Sequence, residues 1–288
     1  MSPVPAERAA YWRVDGLALE AMRARFHDFA YPMHTHDTYS FGVTDRGAQS
    51  FACRGRLSTS VQGHVMAFNP DDPHNGYAAA RQGYRYRMLH IPEDLVREAL
   101  TDTAQARAGL PLFPDPVVDD PALARTLALL HQSIVDGEPR LVVDERLTAA
   151  VLGMTGHATS GRARRAENPR RRWADGAVTR ARATLQERFT ENISFDELAR
   201  GAGCSRYTLY RGFRAAYGFA PSDYQRDLRL RRARSLLAAG ATPATAATSA
   251  GFADQAHLSR WFTRTYGITP GAYHSAGSTR RQESRKSR

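Results

Sequence analysis

Hydrophobic positions in roughly the last hundred residues recur with helical spacing, and the whole pattern occurs twice. Leu209, Phe213 and Tyr217 occur at i, i+4 and i+8, so they form one face of a helix whose other faces carry arginine and tyrosine. Seven identical residues return 49 positions later. The repeated pairs are Leu209 and Leu258, Arg211 and Arg260, Phe213 and Phe262, Tyr217 and Tyr266, Gly218 and Gly267, Pro221 and Pro270, and Tyr224 and Tyr273. One supersecondary unit is therefore used twice.

The first copy contains start and stop signals for two helices. Ser194 and Glu197 fit a capping box, which predicts a short helix over 195–202. The segment 203–205, Gly-Cys-Ser, predicts a tight turn whose serine caps the next helix, and Gly218 predicts where that helix ends. Two helices joined by a short glycine turn are typical of a helix-turn-helix, in which the second helix enters the major groove of DNA.

The second copy begins at Thr242-Pro243, a cap followed by proline, and its second helix is predicted over 254–266. Between the copies, 222–239 has mostly helical spacing and is rich in arginine. One continuous helix of these 18 residues would be about 27 Å long. Successive major-groove entries on one face of DNA are about 34 Å apart, so a rigid connector of this size suits two recognition helices.

The first half of the chain shows the shorter alternation of apolar and polar residues that is typical of β-strands. Alternating or apolar stretches occupy 38–43, 49–53, 65–69 and 84–91, and turn signals bound them at 45–47, 62–63 and 69–73. This pattern predicts a small antiparallel β-barrel or sandwich. Amphipathic helical patterns follow over 121–135 and 142–154. One of these helices would cover the barrel while the other meets a second subunit; packing of both within the chain is the alternative.

Charge is divided unevenly along the chain. Residues 160–288 hold 25 Lys and Arg against 10 Asp and Glu, a net of +15, whereas residues 1–159 hold 15 against 19, a net of −4. Positive charge concentrated in the duplicated half indicates a polyanionic partner and salt-dependent binding. A solubilising tail explains the final RRQESRKSR better than groove binding does.

Composition excludes several classes of protein. The chain has two cysteines, no CxxC pattern and no apolar run near 18 residues, and its first residues lack the layout of a signal peptide. We therefore expect a soluble cytoplasmic protein without contact to the membrane. The predicted organisation is an N-terminal β-domain over 1–158, a basic linker over 159–173, an all-α domain over 174–276 and a basic tail over 277–288.

The motifs SFDELARGAGCSRYTLYRGFRAAYGFAPSDY and GFADQAHLSRWFTRTYGITPGAY closely resemble the paired helix-turn-helix domain of AraC/XylS-type bacterial transcription regulators. The helix PATAATSAG departs from that pattern, because it carries small side chains where the family places branched aliphatic ones. The resemblance implies base contacts from Tyr207, Tyr210 and Arg211 in one copy and from Gln255, His257 and Arg260 in the other. Arg206 and Arg214 on the first recognition helix complete the predicted DNA-binding set.

The segments YPMHTHDTYSFGV and GHVMAFNPDDPH resemble the cupin-like effector domain that often precedes this DNA-binding unit. This resemblance implies an antiparallel barrel with accessory helices and a small-molecule site. The predicted effector-binding residues are His34, His36, Tyr39, His74 and Tyr86. The three histidines also suit a metal such as zinc or iron. The family's metal-binding glutamate is replaced here by Tyr39 or Ser40, so no metal or other cofactor is predicted.

Together the patterns predict a sequence-specific, DNA-binding transcription regulator of bacterial type that is controlled by a small-molecule effector in the N-terminal barrel. The expected partners are double-stranded DNA, an effector, a second copy of the chain and, as a further candidate, RNA polymerase; no catalytic residue is predicted. Two alternatives remain open. One is a metal-dependent cupin enzyme fused to a DNA-binding module, and the other is a DNA-binding protein without an effector.

Overall fold

The computed structural model describes residues 8–101, 109–158 and 176–276; the predicted linker over 159–173 and tail over 277–288 lie outside them. The described chain forms two compact units. The first contains the β-sheet and the helices that follow it. The second contains the helices from residue 176 onwards and is also assigned the short segment Pro32–Thr35, although strand β3 (Tyr31–His34) pairs within the sheet.

Nine strands form the sheet of the first unit within the described residues. They are β1 (Arg8–Arg13), β2 (Glu20–Phe26), β3 (Tyr31–His34), β4 (Tyr39–Cys53), β5 (Arg56–Val61), β6 (Val65–Phe68), β7 (His74–Ala78), β8 (Tyr84–Ile91) and β9 (Val117–Val118). The main path is β1-β2-β8-β4-β6-β9, and each of its pairs is antiparallel. The predicted antiparallel β-domain is confirmed.

Strand β4 is longer than the sequence pattern suggested. The predicted turn at 45–47 is wrong: the strand continues through it, with a shift in its pairing register to β8 between Thr44 and Arg46. Gly47 has a φ of 75°, and a Cβ there would lie 2.1 Å from the carbonyl oxygen of Gly83. A bulge with a close backbone approach, which only glycine permits, therefore produced the turn signal.

In the described residues of the first unit, three helices accompany the sheet: α1 (Glu93–Leu100), α2 (Pro121–Asp136) and α3 (Arg140–Thr155). Asp120 caps α2 by accepting hydrogen bonds from the amides of Ala122 and Leu123. Both predicted helices exist, and each buries one face in a core shared with the sheet. Core positions on α2 and α3 are Leu123, Leu127, Leu130, Ile134, Val143, Leu147, Val151 and Met154.

Residue His131 fixes α2 to the sheet. Its ring is fully buried, and Nε2 lies 3.0 Å from the carbonyl oxygen of Met22 on β2. Burial lowers the pKa of His131 to about 4, and the nearby charges of Arg87 and Arg23 act in the same direction, although the bond to Met22 opposes them. The imidazole is therefore neutral at neutral pH and donates to the carbonyl.

From residue 176 onwards, the described chain of the second unit contains helices and no strand. Its elements are α4 (Ala177–Glu187), α5 (Phe195–Ala202), α6 (Arg206–Tyr217), α7 (Pro221–Ala238), α8 (Pro243–Ser249), α9 (Gln255–Tyr266) and α10 (Pro270–Ser275). The two predicted helix-turn-helix pairs, α5–α6 and α8–α9, and the connector α7 of 18 residues agree with the sequence pattern. Both recognition helices end at a left-handed glycine, Gly218 or Gly267.

Local capping explains why these helices begin where they do. The side chains of Ser194, Ser205, Thr242 and Asp254 each accept a hydrogen bond from the backbone amide three residues later. The small side chains of α8 are used for close packing, because Ala246 and Ala247 are fully buried. No helix in the described segments is long and apolar enough to cross a membrane.

Replacing Gly47 tests the bulge in β4. Gly47→Ala should destabilise the first unit by more than the about 1–2 kcal/mol of left-handed strain alone, because the new methyl group would also collide with the Gly83 backbone. Gly63→Ala is the matched control, since Gly63 has a φ of 90° and open space around it. Thermal unfolding of both variants measures the difference; equal losses of stability would contradict the collision.

The buried His131 predicts a pH dependence of stability. Its folded pKa lies below the unfolded value near 6.5, so the unfolded chain binds the extra proton as the pH falls from about 6.5 to about 4. The free energy of unfolding should fall over this window by up to about 3 kcal/mol, at about 1.4 kcal/mol per pKa unit. In urea unfolding, His131→Gln should flatten this part of the profile; an unchanged slope would refute the assignment.

Candidate DNA-binding surface and effector site

Recognition helix α6 separates buried and exposed residues as its spacing requires. Leu209 and Phe213 are fully buried and pack in the core of the first helix-turn-helix. All five DNA-contact residues that the sequence predicts on this helix are exposed, namely Arg206, Tyr207, Tyr210, Arg211 and Arg214. The helix thus presents a continuous polar and aromatic surface to solvent.

Two tyrosine–arginine pairs organise that surface. The guanidinium of Arg211 donates to the hydroxyl of Tyr207 at 2.9 Å, and Arg214 donates to Tyr210 at the same distance. In both pairs the guanidinium also lies over the ring, at 5.5 and 5.7 Å from its centroid. Each arginine is held along the helix by its partner, and its remaining N–H groups can serve other acceptors.

Recognition helix α9 has the same division between a buried and an exposed face as α6. Leu258 and Phe262 are fully buried, whereas Gln255 and Arg260 are exposed. His257 is only half-buried, because its ring meets that of Phe252 edge-on with centroids 5.4 Å apart. Of the predicted contacts on α9, His257 is thus the one whose orientation is most restricted.

An aromatic contact that the sequence did not predict holds α9 against the connector. The guanidinium of Arg226 on α7 lies 3.8 Å from the ring centroid of Trp261 on α9, and Arg264 approaches the same ring at 5.5 Å. Two cations therefore approach the indole, one from the connector and one from its own helix. Helical spacing places Trp261 beside Arg260 but gives no signal for a partner on α7.

Two further arginines perform equivalent roles in the two halves. Arg182 of α4 lies over the ring of Tyr217 and donates to the hydroxyl of Tyr224 at 3.1 Å. Arg234 of α7 lies over the ring of Tyr266 and donates to the hydroxyl of Tyr273 at 3.2 Å. These tyrosines are equivalent in the repeat, so α4 supports the first recognition helix as α7 supports the second.

The three histidines predicted for the effector site come together. One ring nitrogen from each of His34, His36 and His74 lies within 4.8 Å of the others, and all three residues are buried. His34 Nδ1 is 2.8 Å from the carbonyl oxygen of Pro32, and His74 Nδ1 is 2.8 Å from that of Asp72. We refer to His34, His36 and His74 as the histidine cluster.

The His74 ring is held on a second side by Phe68, which stacks on it at 4.0 Å between centroids. Burial lowers the pKa of His74 to about 4; the bond to Asp72 opposes this shift, and the charge of Arg54 adds to it. The Arg54 guanidinium is itself paired with the Asp72 carboxylate at 3.0 Å. His74 is therefore a neutral imidazole at neutral pH.

The two predicted tyrosines occupy other surroundings. Tyr39 packs against Phe41 and Phe113 in the hydrophobic core, and its hydroxyl donates to the carbonyl of Pro111. Tyr86 donates to the hydroxyl of Tyr31 at 2.9 Å, and burial raises its pKa well above the usual value. No described contact joins either tyrosine to the histidine cluster.

Two polar residues next to the histidine cluster, Ser40 and His90, were not among the predicted effector-binding residues. The His90 ring lies 4.6 Å from that of His36, and its Nδ1 is 2.9 Å from the hydroxyl oxygen of Ser40. Ser40 and His90 are directly paired between β4 and β8. Because side chains alternate along a strand, Ser40 faces the histidines while Tyr39 faces the core.

Comparisons with known proteins agree with both units. The family described as AraC-like ligand binding domain matches residues 16–152, and the helix-turn-helix domain family matches residues 198–276. The uncharacterized HTH-type transcriptional regulator YbfI of Bacillus subtilis is 28% identical over 84% of this chain and 86% of its own length. The HTH-type transcriptional activator RhaS of Escherichia fergusonii is 25% identical over 87% of this chain and 90% of its own.

Among solved structures, ToxT from Vibrio cholerae with a bound unsaturated fatty acid has a TM-score of 0.55 at 12% identity, covering 96% of this chain and 98% of ToxT. This similarity concerns the fold. The two family matches lie in the order that the sequence motifs predicted, and the relatives that span the chain are transcription regulators. The chain therefore belongs to the AraC-type transcription regulators, with a ligand-binding domain followed by a helix-turn-helix DNA-binding domain.

Proposed function

We propose that α6 and α9 enter the major groove of double-stranded DNA and that their exposed residues select the sequence. The observation that carries this proposal is the equivalent division of faces on the two helices. Each buries a leucine and a phenylalanine of the repeat and exposes the arginine between them, Arg211 or Arg260. Two helices that only face solvent would have no reason to keep the same residues exposed at positions 49 residues apart.

The side chains suit distinct roles in recognition. Arg211 and Arg260 match the two acceptors of guanine, and Gln255 matches the donor and acceptor of adenine. Tyr207 and Tyr210 combine an apolar ring with a hydroxyl that can reach phosphate. We assign Arg206 and Arg214, near the two ends of the same helix, to the phosphate backbone.

We further propose that a small molecule binds in the first unit beside the histidine cluster and controls DNA binding. Buried polar side chains collected in one place favour a ligand with hydrogen-bonding groups. Control requires that the ligand binds one arrangement of the protein more tightly than another. The match to an AraC-like ligand binding domain supports this location.

We propose a homodimer that acts in the bacterial cytoplasm, with RNA polymerase as a further partner and without enzymatic activity. Exposed leucines on α2 and α3 support self-association, since Leu129, Leu141 and Leu152 remain outside the core that these helices otherwise share. The bacterial relatives named as transcriptional regulators support a role in transcription.

Replacing the proposed base-reading arginines tests sequence recognition. Arg211→Ala and Arg260→Ala should each weaken binding to DNA selected by the wild-type chain by about 1–3 kcal/mol and relax the sequence preference. Binding assays on matched and scrambled duplexes measure both effects. Arg232→Ala, an exposed arginine of α7, is the control and should preserve the preference. Equal weakening on every duplex would show that Arg211 and Arg260 do not read bases.

Replacing the arginines that we assign to phosphate contacts should change DNA binding in a different way. Arg206→Ala and Arg214→Ala should weaken binding about equally on all duplexes and reduce the slope of log affinity against log salt by roughly 1 each. Titrations at several salt concentrations measure this slope for the full chain. A changed sequence preference with an unchanged slope would instead assign these arginines to bases.

A further inference from the structure

Trp261 occupies a position at which the two copies of the repeat differ. The residue 49 positions earlier is Gly212, where a Cβ would lie only 2.8 Å from Cγ2 of Val178 on α4. Glycine therefore lets α4 pack closely against the backbone of the first recognition helix. In the second copy α7 takes the place of α4, and the position carries a large indole ring. The second recognition helix thus has a different contact with the helix that supports it.

The two supporting helices are otherwise equivalent. Val178, Ala181 and Leu185 are buried on α4, and Leu230, Ala233 and Leu237 are buried with the same spacing on α7. The recognition helices also bury the same leucine and phenylalanine of the repeat. Because the core positions agree, the difference between the copies lies at the flank of the recognition helix, where Gly212 or Trp261 stands.

The indole of Trp261 meets α7 in close contact with one guanidinium. Cζ of Arg226 lies 3.8 Å from the ring centroid, whereas the other described arginine–ring pairs of the second unit are 5.1 to 5.7 Å apart. The shorter distance is that of carbon atoms in van der Waals contact. This pair therefore combines dispersion with the attraction between a cation and the face of the ring.

Arg226 is itself held on α7. Its Nη1 donates to Oδ1 of Asp223 at 2.8 Å, and residues three apart are neighbours on the surface of a helix. The side chain of Arg226 is 30% exposed, so most of it is shielded from solvent. The carboxylate compensates the charge of the guanidinium and restricts its rotamers. Trp261 therefore stacks on a group whose position is fixed from the connector.

A contact at Trp261 restrains the rotation of α9 about its own axis. Leu258 and Phe262 anchor the buried face of the helix, and Arg226 holds one flank. Consecutive side chains of a helix point about 100° apart, so any rotation that moved the indole would also turn Arg260, the residue before it. Hydrogen bonds to base edges weaken steeply as their angles worsen. The orientation of the proposed base-reading arginine thus depends on the indole.

We propose that Arg226 is a positioning residue for the second recognition helix. Its contact with Trp261 sets the rotation of α9 against α7 and so aims Arg260 at the bases, without a DNA contact of its own. This inference rests on the proposed role of α9 in reading the DNA sequence. It assigns part of the sequence selectivity to the connector, outside both helix-turn-helix pairs.

A scan of single base-pair changes across DNA selected by the wild-type full chain tests the proposal. Arg260→Ala and Arg211→Ala first identify the base pairs that depend on α9 and on α6. Arg226→Ala should reduce discrimination at the α9-dependent base pairs by about two- to fivefold, the range for an exposed cation–π contact, and leave the others unchanged. Arg232→Ala, an exposed arginine of the same helix, is the matched control and should change neither set.

Further variants separate positioning from phosphate binding. Arg226→Lys keeps the charge but loses the planar group that stacks on the ring, so it should recover little of the discrimination. Trp261→Leu should give the same loss as Arg226→Ala, and the double variant should be no worse than either, since both remove one contact. Trp261→Phe keeps an aromatic face and should retain part of the discrimination. Circular dichroism of every variant shows whether the fold is retained.

Three results would overturn the proposal. Equal weakening of Arg226→Ala on all duplexes, with a smaller salt slope and full recovery in Arg226→Lys, would make Arg226 a phosphate contact. Additive losses in the double variant would show that Arg226 does not act through Trp261. Unchanged discrimination in Arg226→Ala, where Arg260→Ala relaxes the preference, would show that α9 does not depend on this contact.

Failure of the proposed base reading would look different. Arg260→Ala would then change no sequence preference, whatever the variants of Arg226 do. The double variant still decides the present inference in that case, because coupling between Arg226 and Trp261 is measured on overall DNA affinity. Losses that add would refute a shared role, and losses that do not add would support it.

Discussion

The arrangement of the second unit depends on how the connector α7 binds the backbone that follows α4. The side chain of Gln225 donates to the carbonyl oxygens of Phe189 and Glu191, and the guanidinium of Arg229 donates to the same two oxygens at 2.6 and 2.7 Å. Phe189 and Glu191 lie in the turn after α4, outside its hydrogen-bond ladder, so these side chains satisfy carbonyls that would otherwise require water. Partial burial lowers the pKa of Arg229 from its usual value, yet the guanidinium remains charged.

The same backbone segment also meets the second helix-turn-helix. Gly251, in the turn between α8 and α9, has a φ of 81°, and a Cβ there would lie 2.6 Å from the carbonyl oxygen of Thr190. One short segment, 189–191, therefore contacts both the connector and the second turn. The position of α9 relative to α7 is further fixed by Arg226 on Trp261. Spacing between the recognition helices is thus determined by backbone contacts and charged side chains together.

These contacts change the interpretation of the positive charge. Sequence analysis attributed the excess of arginine to a polyanionic partner, but Arg182, Arg229 and Arg234 bind carbonyls or tyrosines within the unit. Guanidinium groups suit this task because they are planar, carry several donors and stack on aromatic rings. Only part of the charge is therefore available for phosphate, and it is carried by exposed arginines such as Arg206 and Arg214.

Features that depend on contacts between residues close in the sequence were predictable, whereas features that depend on distant contacts were not. Helix ends were predictable because capping joins residues three positions apart, as in Ser205 and Asp254. The four predicted stretches did not include β1, β2, β3, β5, β7 or β9. For β2, pairing over a long separation, such as Glu20 with His90, leaves no local signal, and charged residues interrupt its apolar pattern. The contact between α7 and Trp261 escaped for the same reason.

The surroundings of the histidine cluster show how one step along a strand decides what a side chain contacts. Tyr39 and Ser40 are neighbours, but Tyr39 joins the aromatic core whereas Ser40 binds His90 beside the histidine cluster. A purely hydrocarbon ligand that separated this pair would leave buried polar groups unsatisfied, at a cost of about 1–3 kcal/mol for each group. A ligand with its own donors and acceptors would avoid that cost. The two sides of β4 therefore differ in chemistry: buried polar groups lie on one side, while the other side is closed by the aromatic core.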